Sequence, residues 1–134
     1  MLSEMNAGAA KVMTVPSPAV YVVGQDQTLR QRLCTVLRSL PWPVNGYDCT
    51  SELITVVTAG CIVAVDDGLD LIVLMRSLRR YEDRVRLILL TTDSTVSSAV
   101  AALRHGVHDL IELPVVERDL HRRVSRAMDT IDLG

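Results

Sequence analysis

Three short runs in this chain are apolar almost without interruption: "AVYVV" at Ala19–Val23, "CIVAV" at Cys61–Val65 and "VRLILL" at Val85–Leu90. A strand with one wet face alternates polar and apolar residues. Runs that are apolar on both faces belong to parallel strands covered above and below. A helical period follows each of them. After Gly24, the residues Leu29, Leu33, Val36, Leu37 and Leu40 recur at helical spacing, Asp26 stands where an N-cap is needed, and "PWP" at 41–43 stops the helix. Leu71, Ile72, Leu74, Met75 and Leu78 mark a second amphipathic helix. Val96, Ala99, Val100 and Leu103 line another, which Gly106 terminates.

Weaker segments fill the gaps. "VNGYDC" reads as a partly exposed strand, and "TSELITVVTAG" as a short helix with Gly60 at its end. His108–Ile111 reads as a short last strand, and Leu120, Val124, Met128 and Ile131 share one side of a last helix. Strand and helix alternate five times. The expected fold is therefore α/β: a five-stranded parallel sheet, doubly wound, in the flavodoxin-like order 2-1-3-4-5. Residues 1–18 read as a flexible lead ended by Pro16 and Pro18, and residues 19–134 as one domain.

With 49% hydrophobic residues but only 3% aromatic ones and no Phe, the core has to be aliphatic. A formal charge of −2 gives no bulk attraction to nucleic acid or to an anionic membrane. Thirteen of the fourteen basic residues are Arg, and the single Lys is Lys11, in the lead. Cys34, Cys49 and Cys61 are odd in number and widely spaced, which fits buried reduced thiols rather than a disulfide framework or a zinc site. No apolar run approaches the roughly 18 residues of a membrane span, and the lead lacks a signal-peptide core. The expected location is cytoplasmic, with no membrane partner.

In such a sheet, function gathers at the carboxyl ends of the strands. Those ends offer Gly24, Gln25 and Asp26 after the first strand, Val65, Asp66 and Asp67 after the third, Thr91 and Thr92 after the fourth, and Leu113 before Pro114 after the fifth. The stretch "LILLTTDSTVSSAVAALRHGVHDLIELPV" resembles the last third of response-regulator receiver (CheY-like) domains, the FixJ-like subgroup in particular. Thr91, Val96-x-x-Ala99-Val100-x-Ala102, Gly106 and Asp109-x-Ile111-Glu112-x-Pro114 carry the resemblance without a gap. "VYVVGQDQTLRQRLCTVL" resembles the family's opening strand and helix, so the match spans residues 19–131.

An authentic receiver takes a phosphoryl group onto an aspartate. It needs a carboxylate nucleophile, Mg²⁺ on acidic oxygens and a lysine as a compact charge. The resemblance places the metal-binding acidic pair on Gly24 and Gln25, and the phosphoacceptor on Val65 with Asp66 next to it. It places the switch residues on Thr91 and Leu110, and the lysine on Leu113. The family's bond before Pro114 is typically cis. Thr91 is preserved and Asp66 is arguable; the acidic pair and the lysine are gone. The implied reading is a degenerate pseudo-receiver with no catalytic residue and no metal, acting in signal transduction and transcription regulation by protein–protein contact. Two others stay open: a phosphoacceptor using Asp66, with Asp26 or Asp67 on a weakened Mg²⁺ site, and a small-ligand sensor with a neutral strand-end pocket.

Other candidates point to bland roles. His105 and His108 straddle Gly106, and His121 lies on the last helix, so no metal triad forms. Ser94, Ser97 and Ser98 lack a nucleophile elbow and fit capping. "RSLRRYEDRVR" and "RRVSR" read as solvated faces, with no interleaved aromatics for nucleic acid. DNA contact would belong to a separate C-terminal domain outside this chain. The expected docking face for a protein partner or a homodimer is the fourth helix, last strand and last helix, with Val107, Val115, Val116 and Leu120 as its apolar patch.

Overall fold

The computed structural model describes residues 17–81, 83–93 and 95–133. The expected lead over 1–18 therefore falls, but for Ser17 and Pro18, outside the described residues. Five strands and five helices alternate: β1 (Ala19–Val23), α1 (Gln27–Leu37), β2 (Val44–Tyr47), α2 (Thr50–Val56), β3 (Gly60–Val65), α3 (Leu71–Leu78), β4 (Val85–Thr91), α4 (Val96–Arg104), β5 (Asp109–Glu112) and α5 (Glu117–Asp129). A single 3₁₀ turn, Arg79–Tyr81, extends α3. All strands pair in parallel, in the order β2-β1-β3-β4-β5. This is the expected doubly wound sheet.

Polar side chains set the starts of α1, α3 and α4. Asp26, Asp70 and Thr95 accept N–H bonds from Leu29, Val73 and Ser98, satisfying donors that an α-helix leaves free in its first turn. Gly60 is required by close approach: a Cβ there would lie 1.8 Å from the carbonyl oxygen of Ala19, and its φ is +135°.

Alternate residues of the central strands feed two separate cores. Val20, Val22, Cys61, Val63, Ile88 and Leu90 face α1 and α5, where Leu33, Leu37, Leu120 and Val124 meet them. Tyr21, Val23, Ile62, Ala64, Leu87 and Leu89 face α2 and α3, against Leu53, Leu74 and Leu78. Each buried leucine or valine contributes about 1.5–3 kcal/mol of transfer free energy.

The periodicity reading fails at α4, where no residue is fully buried. Val96 is 81% exposed and Leu103 53%, with Val100 also outward. Of the expected stripe Ala99 alone is half-buried, and the unexpected Ala102 packs on the core beside it. A period of 3.6 marks both stripes equally, and the sheet takes the smaller residues, which allow closer approach. On α3, Ile72 is likewise 65% exposed rather than in the core stripe. The expected patch is corrected too. Val107 and Leu120 are buried, Val115 packs on the core, and among those four Val116 alone is exposed.

The last strand begins one residue later than expected because His108 plays a different part. Its N–H donates to Leu87 O (2.8 Å), while its ring Nδ1 accepts the N–H of Leu87 (2.9 Å). A side chain thus completes the edge of the β4–β5 ladder. No described helix is long and apolar enough to cross a membrane.

Candidate functional site at the carboxyl ends of the strands

The ends of β1, β3, β4 and β5 bring together Gly24, Gln25, Asp26, Val65, Asp66, Asp67, Thr91 and Leu113. The β1–β3 register pairs Val23 with Ala64, which sets Gly24 beside Val65. A Cβ on Gly24 would lie 3.1 Å from Val65 Cβ and Cγ2, so these two positions face each other. Val65 is fully buried and joins the cluster beneath α1 and α5; half-buried Leu113 packs against the same cluster. At three positions where the resemblance implies an acid, a phosphoacceptor and a lysine, the structure has a bare backbone and two apolar side chains.

The surrounding loops are tied by internal hydrogen bonds. Asp67 accepts the N–H of Gln25 on Oδ1 (3.1 Å) and that of Asp26 on Oδ2 (2.9 Å). Gln25 Nε2 donates to Gly68 O (3.1 Å). Arg30, from α1, donates to Gly24 O (2.6 Å). Two successive N–H groups form a small anion cradle, and here the chain's own carboxylate occupies it. Asp26 is engaged in turn, as the cap of α1 (Leu29 N to Oδ1, 3.1 Å).

Asp66 is exposed and continues the ladder through its N–H to Leu90 O (2.8 Å). Buried Thr91 donates its hydroxyl to Asp66 Oδ2 (3.2 Å) and accepts the N–H of Asp93 (3.0 Å). Thr91 O also accepts the N–H of Leu113 (2.9 Å), which joins the end of β5 to β4. The Leu113–Pro114 peptide is cis. Leu110 packs on the opposite core, that of α2 and α3. Asp93, at the mouth of α4, is held below the usual carboxylate range by the Ser98 hydroxyl and by the backbone N–H of Thr95.

At the ends of β1 and β3, Gly24 and Val65 offer no side-chain oxygen to a Mg²⁺ ion, which leaves a thin donor set. The cation asks for several free oxygen ligands in octahedral array. Asp26, Asp66 and Asp67 each already hold a backbone or hydroxyl donor. Among the described residues, three metal-ligating side chains converge only at Asp48, Cys49 and Glu52, near the start of α2.

The other sequence candidates stay apart. His105 caps α4, His108 serves the β4–β5 edge and His121 bonds Ser39 Oγ (2.9 Å). Ser98 bonds Asp93 and Thr95, and Ser94 lies outside the described residues. Sequence reasoning took Asp67 only as a metal ligand and gave Arg30 no role at the site. The Asp67 contacts link loops some forty residues apart, while Arg30 reaches back only six residues, from the first turn of α1 to Gly24 O; neither leaves a periodic trace.

No protein-family model and no curated protein matches the chain. Solved structures do. A response regulator receiver protein from Pseudoalteromonas atlantica is 22% identical, with a TM-score of 0.70 over 84% of this chain and 98% of that one. The receiver domain of Francisella response regulator 1452 is 20% identical, TM-score 0.74, over 84% and 98%. A CheY-like response regulator receiver domain protein from Methanospirillum hungatei is 15% identical, TM-score 0.73, over 85% and 95%. At such identities the likeness is one of fold: the chain has the receiver-domain fold.

Proposed function

We propose that this chain is an atypical receiver domain, a regulatory module that acts through protein contacts without accepting a phosphoryl group on aspartate. The observation that carries the reading is the Asp67 carboxylate bound across the N–H groups of Gln25 and Asp26. A receiver holds its cation between the β1 and β3 loops. Here a side chain of the β3 loop already bridges them. The remaining substitutions run the same way. Val65 offers no nucleophile, and Leu113 puts an apolar side chain where a cation would contact transferred oxygen. Removing clustered carboxylates also relieves their mutual repulsion and desolvation cost.

The α4–β5–α5 side is the docking face in this reading, for a regulatory protein or a second copy of the chain. Exposed Val96, Val100, Leu103 and Val116 support it, since apolar side chains grouped on a surface mark interaction sites. Three free thiols, two of them buried, accord with a cytosolic setting. The FixJ-like resemblance suggests control of transcription, with any DNA contact made by a separate domain.

One observation favours a second reading. The bond from Thr91 to Asp66 keeps a preserved hydroxyl beside a carboxylate at the ends of β3 and β4. Asp66 would then be the acceptor. Incubation with acetyl phosphate or beryllofluoride plus Mg²⁺, followed by intact mass and amide NMR, separates the two. The pseudo-receiver reading expects no adduct and no saturable shift. A saturable Mg²⁺-dependent response abolished by Asp66→Ala would overturn it.

A further inference from the structure

We infer that the cleft between α3 and α4, at the amino ends of β4 and β5, binds a small amphipathic organic anion: an apolar body bearing one carboxylate. The cleft encloses about 380 Å³, within the roughly 300–1,000 Å³ of small-molecule sites. Met75, Leu78, Val85 and Leu87 give it apolar walls. Arg79 and Arg104, both exposed, give it a charged edge. Neither guanidinium makes an ion pair with a described residue, and no carboxylate is among the described lining residues.

The charge balance favours an anion. Both helices end at this cleft, and a helix C-terminus carries about half a negative charge. Among the described lining residues, two guanidiniums against two such ends leave a net positive edge. Arginine's planar fork also matches a carboxylate in two-point contact. The lip is open, since nothing lies within 4 Å of where a Cβ on Gly106 would stand. The His108 ring adds a polar group without a required charge: with Nδ1 taken by the Leu87 N–H, the neutral ring carries its proton on Nε2. The cleft lies at the opposite end of the sheet from Asp66 and Thr91, so the inference stands apart from the phosphorylation question.

The test titrates the full chain with octanoate and separately with octanol, following amide NMR. Octanoate is expected to give saturable shifts confined to residues 75–79, 85–87 and 104–108. Octanol, and octanoate on the Arg79→Gln, Arg104→Gln variant, are expected to bind at least about tenfold more weakly, a single discrimination step of about 1.4 kcal/mol. Both substitutions fall on exposed side chains, and unchanged amide dispersion certifies the fold. Vesicles of anionic phospholipid form a further arm. Equal binding of octanol, shifts centred on Gly24 and Thr91, no saturation up to the solubility of octanoate, or vesicle co-sedimentation without octanoate binding would each overturn the assignment.

Discussion

Asp26 donates its backbone N–H to the Asp67 carboxylate at 2.9 Å, so two acidic residues 41 positions apart are held together by main chain. The neighbouring N–H of Gln25 completes the grip at 3.1 Å. Hydrogen bonds to a charged group contribute about 1.5–3 kcal/mol when well formed, less where water competes. Asp67→Ala is therefore expected to lower unfolding free energy by about 1–2 kcal/mol. Denaturant titration reads the loss, and hydrogen exchange at Gln25 and Asp26 should quicken. Unchanged exchange at both amides would remove the clamp from the account.

The facing of Gly24 and Val65 makes a second prediction. Gly24→Asp puts a Cβ about 3.1 Å from Val65, inside ordinary contact distance. Overpacking of this kind costs about 1–3 kcal/mol. Val65→Ala removes Cγ2, one of the two Val65 atoms that the new Cβ would meet, and keeps Cβ. The double variant should lose less than the sum of the two singles, and a double-mutant cycle measures the coupling. Strict additivity would mean that the two positions do not face each other.

His108 gives a pH dependence. Its ring lies below the ordinary histidine value of 6.5, from desolvation first and the nearby Arg86 second. The folded state thus binds its proton more weakly than the unfolded state does. The contribution is fully present above pH 6.5 and is lost as pH falls through the folded value. Protonation of Nδ1 would also remove the acceptor used by Leu87. Melting temperature should drop on acidification below that point, and His108→Asn, whose Oδ1 can still accept, should flatten that part of the curve.

The α4 surface separates the structure from the periodicity reading. If Val96 and Leu103 were core residues, truncating them would cost about 2–5 kcal/mol each. Both are exposed, so Val96→Ser with Leu103→Ser should change stability by no more than about 0.5 kcal/mol per site. Analytical ultracentrifugation of the same variant tests the docking face, where weaker self-association is expected.

The sheet was legible because "AVYVV", "CIVAV" and "VRLILL" could only be covered strands, and because Asp26 and Gly106 punctuate their helices as local chemistry requires. Local rules stop at α4. There Val100 and Ala99 satisfy the same period, and only the sheet beneath decides between them. The location of the candidate site was legible in part: Gly24, Gln25, Val65 and Leu113 were expected at the carboxyl ends of the strands, and they stand there. The contacts that tie the loops together there were not legible. The Asp67 clamp is made across some forty residues by a polar side chain, and no spacing rule announces it.

The seat of α4 has a mechanical consequence. Helices lock against their neighbours when large side chains form ridges that drop into opposing grooves. Through Ala102, α4 rests on a nearly smooth bearing. Sliding or rolling there disturbs few interdigitated atoms, so the friction between this helix and the sheet is low compared with that of α1 and α5, which are keyed in by Leu33, Leu37, Leu120 and Val124. This helix, with no fully buried residue, also walls one side of the cleft and carries Val96, Val100 and Leu103 outward.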